Sequence, residues 1–172
     1  MSNSNECKSD FEGAADTKAI HNDVSPGQDQ QQTLMALLES AALVERRLDS
    51  QLSNICGISF SEYRLLQALS EAHEVTATRV EVARQVGLTP SAVTRAFKPL
   101  EKLGFIRSTK SERDARRSLA TLTIAGVERI NNARAVVADQ VSSLPVADLP
   151  SAALEQFRDN LLLLAGSGRG SR

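Results

Sequence analysis

Hydrophobic residues recur every three or four positions through most of the chain between residues 33 and 165. This spacing places them on one face of an α-helix and predicts a series of amphipathic helices. The clearest stripe covers 33–55 and stops before Gly57. Two more helices are predicted towards the other end of the chain, a long one over 123–143 and a last one over 150–165.

Capping signals predict three shorter helices after this first one. The segments 59–62 and 78–81 each have a hydroxyl residue followed three positions later by Glu, the capping-box pattern that opens a helix. Gly87 is a suitable stop for the second of these helices. Thr89 followed by Pro90 then predicts an N-cap with proline in the first position of the third helix.

Two short β-compatible runs, 105–109 and 118–122, flank a charged loop and predict a two-stranded hairpin. A helix-turn-helix followed directly by such a hairpin is the order of a winged helix-turn-helix. The predicted fold is therefore mainly α, with a winged-helix core over about 57–122 and a small two-stranded β-wing. The flanking helices, 33–55 and 123–165, carry more apolar surface than one lobe can bury, so they are predicted to form a dimer interface.

The two ends of the chain lack this periodicity. Residues 1–32 are polar and acidic and predict a disordered tail, while 166–172 is rich in glycine and serine and predicts a flexible one. The N-terminal segment has no signal-peptide pattern, and no window is apolar enough to span a membrane. Cys7 and Cys56 form no disulfide framework, so a reduced cytoplasmic location is expected.

The charge of the chain is concentrated in one block. The formal net charge is −1, yet residues 89–117 hold eight basic and three acidic residues, a net charge of +5. The basic residues are Arg95, Lys98, Lys102, Arg107, Lys110, Arg113, Arg116 and Arg117. A block of this kind favours an anionic partner, with a solvated charged face as the alternative.

The helix that begins at Pro90 separates its residue types by face. Its apolar residues share one side and are predicted to pack inward. They are Val93, Phe97 and Leu100. The opposite side carries Ser91, Thr94, Arg95 and Lys98, with Lys102 one turn further along. Hydroxyl and basic side chains suit base edges in the major groove of double-stranded DNA, and Lys102 is assigned to a phosphate. An ordinary amphipathic helix is the alternative.

The predicted hairpin supplies a second group of DNA contacts. Arg113, Arg116 and Arg117 are placed to enter a neighbouring minor groove, whose narrow shape concentrates negative potential. Arg107 and Lys110, at the base of the loop, are assigned to phosphates. The acidic residues of the same loop are Glu112 and Asp114. An ion pair between one of them and an arginine would fix the direction of the wing.

Three stretches resemble the MarR-type transcriptional regulators. The run Arg-Asp-Ala-Arg at 113–116, with the leucines and Gly126 that follow, resembles their wing and the start of the next helix. The stretch 88–106 is similar to their recognition helix, and 57–71 to the helix before it. The resemblance covers about 33–165 and implies a winged-helix homodimer with entwined terminal helices. It also implies a regulator, often a repressor, that responds to small phenolic or other aromatic ligands or to oxidants.

Two positions depart from the pattern of that family. Ser111 stands where the family usually has Asp, so the bracing of the wing is assigned to Asp114 or Glu112. Pro99 lies inside the recognition helix, where it removes a backbone hydrogen bond and is expected to bend the helix.

No catalytic site, metal site or cofactor is predicted. His21 and His73 are the only histidines and are not expected to form a metal site, and no nucleophile–base pair or phosphate loop indicates an enzyme. Phe60 and Tyr63 are candidates for a ligand pocket, with core packing as the alternative. Cys56 is a candidate for oxidation sensing, with a buried small apolar side chain as the alternative.

These patterns together predict a sequence-specific DNA-binding regulator that acts as a homodimer on a pseudo-palindromic site. Two alternatives stay open. One is a winged-helix protein-interaction module without DNA binding, and the other is a regulator that senses oxidants through a cysteine. The basic block argues against the interaction module, because such a module has no need for positive charge on one face.

Overall fold

In the computed structural model, the described residues are 26–110 and 118–164. They form six α-helices, three β-strands and two short 3-10 turns. The helices are α1 (Pro26–Cys56), α2 (Phe60–Ser70), α3 (Arg79–Val86), α4 (Pro90–Lys102), α5 (Ile124–Ser142) and α6 (Ser151–Leu164). The strands are β1 (Thr76–Thr78), β2 (Ile106–Lys110) and β3 (Ser118–Leu122), and the turns cover His73–Val75 and Pro145–Asp148. The prediction of a mainly α fold is confirmed.

Helix α1 begins at Pro26, earlier than the predicted start at residue 33. The prediction of a disordered tail through residue 32 is therefore wrong for its last part, and residues 1–25 lie outside the described residues, as do 165–172. Proline fits the first turn of a helix because its missing N–H needs no partner there, and the glutamines that follow it are good helix formers. The described residues 26–39 belong to one unit of the chain and residues 40–164 to another.

The predicted caps of the shorter helices are confirmed. At the start of α2, the Ser59 hydroxyl accepts from the Glu62 N–H at 3.2 Å, and the Glu62 carboxylate accepts from the Ser59 N–H at 2.8 Å. Thr78 opens α3 in the same way. Gly87 ends α3 with a φ of 72°, a left-handed conformation that glycine adopts without strain. Local hydrogen bonds therefore define the start of α2 and both ends of α3.

The sheet has three strands where two were predicted. Its order is β1-β3-β2 with both pairings antiparallel, and Ile106 lies opposite Leu122 in the β2–β3 hairpin. Strand β1 comes from the segment just before α3 and pairs Ala77 with Ala120. Three residues are too few to produce an alternating pattern, and Thr78 already carries the capping signal. The extra strand ties the wing to the N-terminal end of α3.

The core lies between α2, the helix-turn-helix and the sheet, with contributions from α1 and α5. Its largest fully buried side chains include Phe97, Leu52, Ile58, Leu66 and Ile130. The three apolar residues of α4 that were predicted to pack inward, Val93, Phe97 and Leu100, are each 0% exposed. The inner face of α4 is therefore fixed by the core, and its opposite face is left for solvent or a partner.

Candidate nucleic-acid interface

Helix α4 is held in place by the turn that precedes it and by α2. The Leu88 N–H donates to the Ala83 carbonyl at 2.9 Å, and the Thr89 hydroxyl caps α4 by accepting from the Ala92 N–H at 3.2 Å. Arg64, on α2, donates from Nη2 to the carbonyl of Val86 at 2.8 Å, which satisfies an acceptor at the C-terminal end of α3. Arg64 was not recognised from the sequence, because its partner is a backbone atom 22 residues away.

The predicted outer face of α4 is exposed along its whole length. All five of its polar residues are exposed. They are Ser91, Thr94, Arg95, Lys98 and Lys102. Within the described part of the chain, no ion pair engages Arg95, Lys98 or Lys102. The surface thus presents three cationic groups and two hydroxyl groups on one helix face, opposite three fully buried residues.

Thr94 is more constrained than its place in the sequence indicates. Its hydroxyl donates to the carbonyl of Pro90 at 2.8 Å, a hydrogen bond within α4. With its proton used in this way, the hydroxyl faces outward as an acceptor. Its methyl group is the other group available to a partner. In this rotamer Thr94 can accept from a base amino group or pack against a thymine methyl group.

Pro99 does not end the recognition helix. Helix α4 continues through Pro99 to Lys102, and the Leu103 N–H donates to the Pro99 carbonyl at 2.9 Å. Because proline has no N–H, the carbonyl of Arg95 lacks the donor that would normally come from four residues later. That carbonyl lies on the turn that carries the exposed Arg95 and Lys98, so the interruption falls within the candidate interface.

The described part of the wing adds basic residues beside α4. Arg107 is exposed on β2 and lies opposite Thr121 of β3, and Lys110 is the last residue of β2. The predicted minor-groove arginines, Arg113, Arg116 and Arg117, and the predicted bracing acids, Glu112 and Asp114, lie outside the described residues. Their roles stay predictions.

A second arginine that was not predicted lies between the helix-turn-helix and the wing. Arg79, the first residue of α3, donates from Nη2 to the Ser108 hydroxyl at 2.9 Å and is 3.7 Å from the Glu101 carboxylate. Its guanidinium also lies over the Phe97 ring, 5.8 Å from the centroid. An arginine in the first turn of a helix is usually solvated, so its sequence position carries no signal for these contacts.

The aromatic residues predicted as pocket candidates contribute to the core. Tyr63 is 6% exposed, and the half-buried Phe60 stacks on it with ring centroids 6.1 Å apart. A depression of about 510 Å³ does occur on α1, but Ala42, Glu45, Arg46, Asp49 and Ser50 line it and neither aromatic ring does. The packing favours the structural alternative for both aromatic residues.

Cys56 is also part of the core. Its side chain is 4% exposed and unpaired, and its backbone carbonyl accepts a hydrogen bond from Arg129 of α5. A redox-sensing thiol needs solvent access, so this burial supports the structural alternative for Cys56. The described residues contain no group of three or more His, Cys, Asp or Glu side chains able to hold a metal ion.

Tyr63 provides an optical test of this packing. Burial raises the pKa of its hydroxyl above the ordinary value of 10.0; the nearby Arg134 acts in the opposite direction, and Glu71 raises the pKa further. The neutral phenol is therefore favoured in the folded state, and the folded protein keeps its proton after the unfolded chain has lost it. The free energy of unfolding should fall as the pH rises above about 10.

The chain has one Tyr and no Trp, so tyrosinate absorbance during a pH titration reports on this residue alone. We expect a midpoint above 10.0 in the folded protein and a lower one in denaturant. Tyr63→Phe should abolish this absorbance change and the associated loss of stability. A midpoint at or below the ordinary value in the folded protein would mean that the hydroxyl is solvated.

The sequence is similar to known DNA-binding regulators over this region. Residues 58–118 match the model of the MarR family. YdgJ, an uncharacterised HTH-type transcriptional regulator of Bacillus subtilis (strain 168), is 35% identical over 78 residues, which are 45% of this chain and 46% of that relative. The match therefore spans less than half of the relative's length.

Solved structures extend the similarity to most of the chain. Sco3205, a MarR family transcriptional regulator from Streptomyces coelicolor solved in complex with DNA, has a TM-score of 0.74 and 26% identity, covering 80% of this chain and 89% of Sco3205. CouR from Rhodococcus jostii RHA1, solved with bound p-coumaroyl-CoA, has a TM-score of 0.68 and 25% identity, covering 76% of this chain and 89% of CouR. Among the described helices of this chain, none has the length and apolar character needed to cross a membrane.

Proposed function

We propose that this chain is a transcriptional regulator of the MarR family that binds double-stranded DNA in a sequence-specific manner, because residues 58–118 match the model of that family. The observation that carries the proposal is the outer face of α4, with three exposed cationic side chains and two hydroxyls on a winged-helix scaffold. Sco3205, which shares this fold, was solved in complex with DNA. A regulator of this kind acts on DNA, so we propose that it is located in the cytoplasm. We propose no enzymatic activity for it.

The proposed docking assigns each group of side chains to one part of the duplex. Helix α4 enters the major groove, where Ser91, Thr94, Arg95 and Lys98 contact base edges. Phosphates are contacted by Lys102, Arg107 and Lys110. The wing arginines Arg113, Arg116 and Arg117 enter the neighbouring minor groove. Base discrimination would then come from α4, and most of the salt-dependent affinity from the remaining basic residues.

The exposed apolar surface of the terminal helices supports a homodimer. Helix α6 has no buried residue, although its 14 residues include Leu154, Phe157, Leu162, Leu163 and Leu164. Phe157 is 50% exposed and Leu163 67% exposed. An isolated helix of this length is marginal in water, so α6 needs a covering surface. We assign that surface to a second copy of the chain, which would place two α4 helices about 10 bp apart on a pseudo-palindromic operator.

We further propose that a small aromatic or phenolic ligand regulates DNA binding, most simply by releasing a repressor. Support comes from CouR, which was solved with p-coumaroyl-CoA. The depression on α1 is not lined by the predicted aromatic pair, and we assign the ligand site to no particular residues.

The direct test is selection from a randomised duplex pool, followed by affinity measurements over a range of salt concentrations. We expect one inverted repeat to be enriched and log K to fall steeply with log salt. Salt-sensitive binding without an enriched sequence would replace the sequence-specific regulator by an architectural role. Absence of binding at low salt would favour the protein-interaction module.

Arg95→Ala tests the recognition helix itself. A bidentate arginine–guanine contact contributes about 1–3 kcal/mol of discrimination, so operator affinity should fall by about 10-fold or more and one base position should become degenerate. The measurement is a repeat of the duplex selection with the variant. Lys102→Ala is the matched control on the same face: it should weaken all sequences about equally and reduce the salt slope by about 2, one for each subunit of the proposed homodimer. Unchanged base preference in Arg95→Ala would mean that α4 is not docked as proposed.

A further inference from the structure

We propose that Arg79, Ser108 and Glu101, the Arg79 network, position the wing against the recognition helix so that both engage DNA as one body. The inference rests on the DNA-binding function proposed above. It concerns how the two contact surfaces are held relative to each other, and none of the three residues is assigned a DNA contact.

The Arg79 network joins three elements at one point. Ser108, in the middle of β2, accepts from Arg79 of α3 at 2.9 Å and donates to the carboxylate of Glu101, in the last turn of α4. The Arg79 guanidinium is itself 3.7 Å from that carboxylate. The Ser108 hydroxyl therefore donates its proton to α4 and accepts a hydrogen bond from α3. A displacement of β2 away from α4 therefore strains the hydrogen bond between Ser108 and Glu101.

The Arg79 network is partly buried, which makes its geometry sensitive to the loss of any one member. The Arg79 side chain is 18% exposed and that of Glu101 33% exposed, and the Arg79 guanidinium lies over the ring of Phe97, which is fully buried in α4. Two other Arg79 nitrogens, Nε and Nη1, are buried without a hydrogen-bond partner in the described part of the chain. A cation that is already short of partners tolerates the loss of another acceptor poorly. The position of β2 is therefore sensitive to each member of the network.

The link matters for DNA because of what β2 carries. Neighbouring residues on a strand point to opposite faces, and Arg107 is exposed while the adjacent Ser108 is half-buried in the network. Fixing Ser108 therefore fixes where Arg107 and strand β2 approach the duplex. Contacts held in advance in a common geometry lose less entropy on binding than contacts that must be ordered.

Substitution of Glu101 distinguishes a positioning role of the network from an effect of charge alone. It is the one acidic residue between residues 89 and 110, within a basic block. If charge alone mattered, Glu101→Gln would remove repulsion from phosphates and tighten DNA binding. If the network positions the wing, the same change weakens binding to the selected operator. The two explanations therefore predict effects of opposite sign.

The experiment measures the dissociation constant of the full chain on its selected operator by fluorescence anisotropy, at several salt concentrations. The variants are Glu101→Gln, Ser108→Ala and Arg107→Ala, alone and in pairs. We expect Glu101→Gln and Ser108→Ala each to raise the dissociation constant about tenfold, the size of one lost charge-assisted hydrogen bond. Arg107→Ala should raise it about fivefold in the wild-type background but less than about twofold when either network residue is also changed.

Three controls make the outcome decisive. Glu128→Gln makes the same change of charge at an exposed residue of α5 and should alter operator affinity by less than about twofold. Ser108→Thr keeps the hydroxyl and should restore most of the affinity and the coupling to Arg107. Thermal unfolding of every variant identifies any loss of affinity that comes from unfolding. If Ser108→Ala is unstable, the double-mutant cycle with Arg107→Ala is measured with Glu101→Gln, which preserves side-chain volume.

The inference is overturned if Glu101→Gln binds the operator as tightly as the wild type or more tightly, or if Arg107→Ala has the same effect in every background. Either result with a wild-type protein that binds its operator leaves the proposed function intact. A wild-type protein that binds no duplex overturns both proposals together.

Discussion

Phe157→Asp should convert the proposed dimer into a monomer and lower the affinity for the operator at least about 100-fold, since two linked DNA-reading lobes gain a factor of about 10²–10⁴ over one. Phe157 is 50% exposed on α6, a helix that buries none of its residues within its own chain. In the proposed dimer the ring is covered by the second copy. A carboxylate in that position would lie unpaired in an apolar interface. Size-exclusion chromatography with light scattering measures the oligomeric state, and anisotropy measures operator binding.

Asn160→Asp provides the control for this change. It introduces the same charged side chain into the same helix, at an exposed polar residue whose side-chain oxygen accepts from Gln156 at 3.1 Å. We expect it to remain dimeric and to bind the operator within about twofold of the wild type, as exposed substitutions usually do. If Phe157→Asp stays dimeric and binds normally, α6 lies outside the interface and the apolar residues of α1 become the candidates for the contact. If it becomes monomeric but keeps full affinity, one lobe is sufficient and the pseudo-palindromic operator is wrong.

Local signals account for the parts of the fold that were predicted correctly. The caps at Ser59, Thr78 and Thr89 and the stop at Gly87 each depend on residues within four positions, so the sequence displays both partners side by side. The inward face of α4 could be predicted equally well, because the helical period places its apolar residues on one side. These local features define the helix-turn-helix and the orientation of its second helix.

Contacts between distant segments were missed for the same reason. Strand β1 exists because Ala77 pairs with Ala120, and three residues carry no period of their own. Arg64 and Arg79 bond to groups 22 and 29 positions away, and an isolated arginine carries no sign of its partner. The early start of α1 at Pro26 had a different cause: polar residues with good helical propensity extend a helix without adding to its apolar stripe. The basic face of the candidate site was thus predictable, but the network that aligns its two halves was not.

Gly126→Ala should lower the free energy of unfolding by about 1–2 kcal/mol, because α5 begins directly against the base of the wing. A Cβ added to Gly126 would lie 2.0 Å from the carbonyl oxygen of Phe105 and 3.0 Å from its carbonyl carbon. That carbonyl cannot move freely, since it accepts from the Thr123 N–H at 3.0 Å. Overpacking of this kind costs about 1–3 kcal/mol and sometimes more, and the gain of about 1 kcal/mol from replacing glycine in a helix offsets only part of it.

Urea unfolding followed by circular dichroism gives the change in free energy. Gly27→Ala is the matched substitution, since it also lies in a helix but a Cβ there has nothing within 4 Å. It should leave stability unchanged or raise it by less than about 1 kcal/mol. Because Phe105 directly precedes β2, the shift forced by Gly126→Ala should also displace the wing and weaken operator binding at temperatures where the variant is still folded. Wild-type stability in Gly126→Ala would show that α5 and the wing base can separate at little cost, and the wing would then not be held rigidly from that side.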